Sequence, residues 1–257
     1  MSALDRALGI ARSLIVYHAI PGRQRRMRRL YARFVKAGDL AFDVGAHAGN
    51  RTRALAALGC RVIAVEPQPD FARLLRTLFA STPAVTVVEA AAGRAAGRAS
   101  LAISDRTPTV TTLSSPWREA RSGDDDFSGV NWNRSLDVPI TTLDALIAQH
   151  GTPSFAKIDV EGSEVEVLAG LSQPVRVVSF EFLSRAMDSV EACATRLAEL
   201  GDYRFTWSAG ESFRLETEPH LTAAELITSL RARSTQQHFG DVYAVLNAFL
   251  GHSRSAT

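Results

Sequence analysis

The sequence predicts a doubly wound, mostly parallel α/β sheet of about seven strands. Three observations carry this. Short apolar runs alternate with helical stripes in the order β-α-β-α-β between Leu40 and Glu89. Two of the strands run into acidic, glycine-containing turns: Phe42-Asp43-Val44-Gly45-Ala46-His47-Ala48-Gly49-Asn50 and Lys157-Ile158-Asp159-Val160-Glu161-Gly162-Ser163-Glu164. Glu66 closes a third strand between them. Open α/β sheets bind small ligands at the carboxyl ends of their strands, so the three segments outline one pocket.

Met27, Leu30, Tyr31 and Phe34 recur at helical spacing, which predicts a helix over residues 24–36, ended by Gly38-Asp39. Its arginines, Arg23, Arg25, Arg26, Arg28, Arg29 and Arg33, read as a solvated face in preference to an anion-binding one. Leu40 to Val44 is a buried strand, 50–58 a helix closed by Gly59, and Arg61 to Val65 the second strand. Phe71, Leu74, Leu75, Leu78 and Phe79 form a helical stripe; Val85 to Glu89 is the third strand, and Ala99 to Ser104 a further short one. Residues 105–136 interrupt the pattern with Pro108, Pro116, Trp117, Gly123, Asp124-Asp125-Asp126, Gly129 and Trp132. A loop of that length inside a compact domain is usually functional, and this insertion is expected to line and cover the acceptor site.

Regularity returns at Thr141. Thr142 and Asp144 open a helix, Phe155 to Val160 is a strand, and 163–169 a helix. Val175 to Phe182 is a strand, and Val190, Cys193, Leu197 and Leu200 mark a helix stopped by Gly201. Strand 203–208, a helix near 222–232 and the strand Asp241 to Leu246 complete the chain. The expected organisation is an N-terminal helical extension (1–37) followed by one domain (38–250) carrying the insertion 105–136.

Composition excludes several classes. The formal charge of +2 implies no strong field for nucleic acid. No apolar run is long enough to span a bilayer, and the N-terminus lacks the pattern of a signal peptide, so a cytoplasmic location is expected. Cys60 and Cys193 show no metal spacing and read as buried thiols. A homo-oligomer is left open.

The site chemistry follows from the turns. Gly45 and Gly49 let backbone approach a ligand, and the helix start beyond them offers free N–H groups. A dinucleotide fold wants Gly-x-Gly-x-x-Gly; here the spacing is Gly-x-x-x-Gly preceded by an acid. Asp43 would repel a pyrophosphate and attract an ammonium group, which points to S-adenosylmethionine (SAM). Glu66, followed by Pro67, stands where an acid takes ribose hydroxyls, and Glu89 and Ala90 stand where adenine would lie. His47 and Asn50 belong to the same cofactor turn. Asp159, Glu161 and Glu164 crowd the end of the fourth strand, and Glu181 sits between two phenylalanines at the end of the fifth. Asp159 first and Glu181 second are candidates for a general base, or for holding a divalent metal. His238 is a further catalytic candidate; His220 reads as solvated.

At these residues the chain resembles the FkbM family of SAM-dependent methyltransferases. The resemblance runs from about Leu30 to Leu246 and comprises Gly38 to Gly49, Val65-Glu66-Pro67, Thr141-Thr142-Leu143-Asp144, Lys157 to Gly162 and Phe239-Gly240-Asp241-Val242-Tyr243-Ala244. His47 stands where the family often has asparagine, and Thr109 to Ser114 is similar to its Ser/Thr-rich substrate-side segment. The resemblance implies a class I, Rossmann-like seven-stranded sheet whose last strand, near 242–247, is antiparallel. It also implies O-methylation of a hydroxyl on a sugar or natural-product small molecule. The rival readings are a cofactor-binding module without catalysis and a NAD-dependent oxidoreductase; Asp43 and the missing third glycine weigh against the latter.

Overall fold

The computed structural model describes residues 8–9, 11–14, 20–107, 111–114, 119, 130–233 and 239–250. Trp117, His238 and the prolines, glycines and aspartates between 108 and 129 lie outside these residues. A seven-stranded sheet forms the body, in the order β3-β2-β1-β7-β8-β10-β9. Its strands are β1 (Leu40–Val44), β2 (Arg61–Val65), β3 (Val85–Val88), β7 (Phe155–Ile158), β8 (Val177–Leu183), β9 (Tyr203–Ala209) and β10 (Phe239–Leu246). The first five in spatial order are parallel; β10 is antiparallel to both β8 and β9, so the last strand runs as expected.

Helices cover both faces. On one lie α1 (Arg23–Tyr31) and α2 (Asn50–Ala57), whose Met27, Leu30, Tyr31, Ala54 and Leu55 pack with Ala41, Phe155, Tyr243 and Val245. Next to them, Leu75 of α3 (Pro69–Leu78) packs on Ala46 and Ala64. The other face carries α4 (Leu143–His150), α5 (Glu164–Ala169), α6 (Met187–Leu200) and α7 (Ala223–Arg231), packed on Phe42, Val44, Ile158, Phe180 and Val242. Cys60 and Cys193 are both buried and free. Among the described residues no helix is long and apolar enough to cross a membrane.

Four differences from the sequence expectations have physical causes. Helix α1 ends at Tyr31, short of residue 36, because its last turn closes on Ala32 and the chain continues through turns. Strand β7 ends at Ile158, short of Val160, because the chain enters a turn in which Glu161 and Gly162 have φ of 53° and 91°. The helix read from Thr141 starts at Leu143, with the Thr142 side chain accepting from the Ala145 N–H. The largest difference is β6 (Arg134–Thr141), which begins inside the expected insertion. It pairs antiparallel with β5 (Gly97–Ile103) and parallel with β4 (Ala91–Ala92), forming a separate three-stranded sheet. Pro139 disguised it, since proline cannot donate to a ladder. The strand tolerates Pro139 because β4 pairs only with Ile140 and Thr141, leaving that edge open beside the proline.

Candidate active site

The carboxyl ends of β2, β1 and β7 lie side by side, and the turns that leave them line one pocket. Its walls are Val44, Gly45, His47, Asn50 and Arg51 from the first turn and α2, and Val65, Glu66, Pro67 and Gln68 after β2. Ala90, Ala91 and Ala92 follow β3, and Asp159, Val160, Glu161 and Ser163 follow β7. The small sheet closes one side through Leu101, Thr111, Thr112 and Leu113. Thr112 ties that sheet to the second turn by donating from Oγ1 to the Glu161 carbonyl at 2.7 Å.

The first turn is built for close approach. Gly45 has φ 85°, and a Cβ there would lie 1.8 Å from the Asp159 carbonyl oxygen, so only glycine lets the two turns touch. His47 has φ 45°, a left-handed conformation in which asparagine, aspartate and histidine are enriched. Its ring stacks on Phe71 at 4.0 Å, and burial pulls its pKa down to about 3, leaving it neutral. Glu66 is buried and accepts the N–H of His47 on Oε2 and that of Gln68 on Oε1, each at 2.8 Å. Burial outweighs these two bonds and pushes its carboxyl up to about 7.

The second turn holds the charges. Asp159 meets the Arg51 guanidinium at 2.8 Å. Burial alone would raise the Asp159 carboxyl, but Arg51 and Lys157 hold it below its usual range. Glu181 behaves in the opposite way: burial, with Asp159, Glu161 and Glu164 repelling its charge, pushes it well above the carboxylate range. Carboxylate oxygens of Asp159, Glu161 and Glu181 lie within 4.8 Å of one another. Such a set of hard oxygens suits magnesium, manganese or calcium better than a softer metal.

Of the residues singled out from sequence, the structure brings Gly45, His47, Asn50, Glu66, Pro67, Ala90 and Asp159 to one pocket wall. Glu181 does not line the pocket, but its carboxylate lies within 4.8 Å of those of Asp159 and Glu161, which do. Asp43 is fully buried beneath the turn, where Thr52 Oγ1 donates to it at 2.5 Å, and it is not part of the wall. Gly49 serves packing: a Cβ there would lie 2.7 Å from Leu75 Cδ2. Glu89 turns outward to Arg76 at 2.7 Å. Thr111 to Leu113 belong to the segment Thr109 to Ser114, which the resemblance set on the substrate side. The wall residues that sequence reasoning passed over include Arg51, Gln68 and Leu101. Only Arg51 carried a signal, as a cation placed directly after the glycine turn.

The match to known families agrees with this geometry. The model of the methyltransferase FkbM domain matches residues 43–206, more than half of the chain. The chain belongs to the FkbM methyltransferase family. The FkbM match takes in both acidic turns, and membership of the family implies SAM as the cofactor. No curated protein sequence matches the chain. Among solved structures, the chain is similar to a precorrin-6Y C5,15-methyltransferase from Geobacter metallireducens at 10% identity and TM-score 0.47, covering 86% of this chain and 87% of that one. A TehB-like SAM-dependent methyltransferase from Corynebacterium glutamicum aligns at 12% identity and TM-score 0.44, covering 90% and 92%. A SAM-dependent O-methyltransferase from Thermotoga maritima aligns at 13% identity and TM-score 0.39, covering 88% and 65%.

Proposed function

We propose that this FkbM methyltransferase moves the SAM methyl group to a hydroxyl oxygen of a sugar or natural-product small molecule, with Glu181 as the proton acceptor. The observation that carries the reading is the cluster of three carboxylates, Asp159, Glu161 and Glu181, of which Asp159 and Glu161 line the pocket. A hydroxyl attacking a sulfonium methyl must lose its proton as the C–O bond forms and the C–S bond breaks. A base works best when its pKa lies near the operating pH. Burial and three acidic neighbours make Glu181 the more basic of the two, whereas Arg51 holds Asp159 ionised and weakly basic. Holding oxygen, methyl carbon and sulfur in line supplies much of the remaining acceleration.

The test is transfer of labelled methyl from SAM to a panel of hydroxylated sugars and metabolites. Glu181→Gln is expected to lower turnover about 10²–10⁴-fold, the usual worth of a positioned base, with S-adenosylhomocysteine binding unchanged. Unchanged turnover in the variant would remove Glu181 from this role. A second reading rests on the same three carboxylates: they would hold a hard divalent cation that acidifies the hydroxyl. Activity lost on chelation and restored by magnesium favours the cation; activity indifferent to chelator favours the carboxylate alone.

A further inference from the structure

The solvent face of α1 carries charge without counter-charge. Met27, Leu30 and Tyr31 are buried against the sheet. At about 3.6 residues per turn, Arg25, Arg26, Arg28 and Arg29 fall on the opposite side, and all four are exposed. None of the four meets a carboxylate among the described residues. Elsewhere on the surface Arg94, Arg98, Arg204 and Arg231 each hold an acid: Glu166, Asp137, Asp202 and Glu191. The chain has 27 acidic residues, enough to neutralise the helix, yet its first turn contains none.

This arrangement costs stability in the free protein. Arg25 stands in the first turn, at the positive end of the helix dipole. Arg25 and Arg29 are like charges four residues apart, and Arg25 with Arg28 and Arg26 with Arg29 are like charges three apart. Arg25 and Arg29 are separated by about 6 Å along the axis. That is within the ~10 Å over which ordinary salt screens charge, so the four fields add. Apolar side chains flank the patch. Ile20, 46% exposed, stands where the helix starts, its carbonyl accepting the Arg23 N–H. Phe249, 44% exposed, stands by the far end, with its ring 5.9 Å from Arg176, which donates to the Phe34 carbonyl at 2.7 Å. Charge alone would suit any polyanion, and Ile20 decides between them. An aliphatic side chain gains by entering the acyl boundary of a bilayer and meets nothing apolar on a phosphate backbone.

We infer that α1 lays its arginine face on an anionic lipid bilayer, with Ile20 and Phe249 entering the headgroup boundary at its two ends. The attachment is peripheral. The apolar stripe of α1 stays in the protein core, so charge supplies most of the affinity. Docking also sets the pocket beside the membrane, since Gln24 of α1 donates to the Asn50 carbonyl at 3.0 Å and Asn50 lines the pocket wall.

Co-sedimentation of the full chain with vesicles is the test. Wild type should bind vesicles of phosphatidylcholine mixed with phosphatidylserine, leave pure phosphatidylcholine vesicles unbound, and be released by high salt. Arg25→Gln, Arg26→Gln, Arg28→Gln and Arg29→Gln combined should weaken binding more than about 100-fold, at about fivefold for each arginine near the surface. The melting temperature of this variant should not fall, since the groups removed are exposed and repel one another. Arg94→Gln, Arg98→Gln, Arg204→Gln and Arg231→Gln combined removes the same charge elsewhere and should keep most of the binding. Ile20→Ser should weaken it several-fold. Equal wild-type binding to both kinds of vesicle, or to neither, would overturn the inference without recourse to any variant. A control variant that loses as much as the helix variant would overturn it too, because net charge and not this face would be the cause. Capture of polyuridylate RNA with anionic vesicles ignored would overturn it in favour of a nucleic-acid partner.

Discussion

Glu66 shows how much one buried carboxyl can report. Both its oxygens already accept a backbone N–H, from His47 and Gln68, and each has a lone pair left for a ribose hydroxyl. Hydroxyls donate to the ionised form, and burial places the change of form at about 7 in the free protein. The sign follows: a ligand that prefers the ionised carboxylate binds more tightly as pH rises through that value and more weakly below it. Affinity for S-adenosylhomocysteine should therefore climb between about pH 6 and 8 and then level off. Glu66→Gln should flatten the profile and weaken binding by about 1.5–3 kcal/mol; calorimetry at several pH values reads both. A flat wild-type profile would take Glu66 away from the ribose. The place of Glu66 in the pocket wall was legible in the sequence because it ends the second strand about 20 residues past the glycine turn, where an acid faces a bound ligand. Asp43 was legible as a buried acid at a strand end, but not the direction it faces. Ala41, two residues earlier and so on the same side of β1, packs beneath α1, and Asp43 points that way, to Thr52.

At the scale of elements, the site depends on two turns touching, and Gly45 is the point of contact. Gly45→Ala forces a left-handed φ on alanine and drives its Cβ into the Asp159 carbonyl. The expected cost is about 3 kcal/mol or more, a fall in Tm of roughly 6–12 °C. Gly97, in β5, has nothing within 4 Å of where a Cβ would stand, so Gly97→Ala should change stability by less than about 0.5 kcal/mol. Thermal melts of the two variants test the contrast; equal effects would mean that the turns can separate freely. The parallel strands and their helices could be read from sequence because apolar runs and helical stripes alternate clearly there. Strand β6 could not, because Arg134, Ser135, Asp137 and Pro139 interrupt its apolar positions and its partners are only the short β4 and β5. Sequence reasoning therefore anticipated the floor of the pocket and one strand of the small sheet, near Ala99 to Ser104, and missed β6, which pairs with it.

For the whole molecule, the two faces of the large sheet differ in kind. The α4–α7 face is apolar throughout, with Phe42, Ile158, Phe180 and Val242 in one cluster. Across the α1–α2 face runs a row of neighbours in register: Asp43 beside Lys157, Lys157 beside Ser179, Ser179 beside Tyr243. One step further along lie Glu181 and Asp241, also paired. Lys157 joins the rows: wholly buried, it reaches Asp241 at 2.7 Å and the Ile158 carbonyl at 3.0 Å. Burial alone would lower its pKa, but Asp241 and Asp159 outweigh that and keep it charged. The pair thus fastens the FkbM segment around Lys157 to the last strand, two residues from Asp159. Removing one partner of a buried pair strands the other, at about 3–5 kcal/mol, whereas replacing both with apolar groups is often neutral. Lys157→Met should therefore destabilise by about that amount, and Lys157→Met with Asp241→Leu should recover most of it. Urea unfolding of the two variants measures this, and a single variant as stable as wild type would show that Asp241 finds other partners. The double variant also separates stability from chemistry. It keeps the fold but removes a cation that holds Asp159 ionised, so it should bind S-adenosylhomocysteine more weakly than wild type even where both are fully folded.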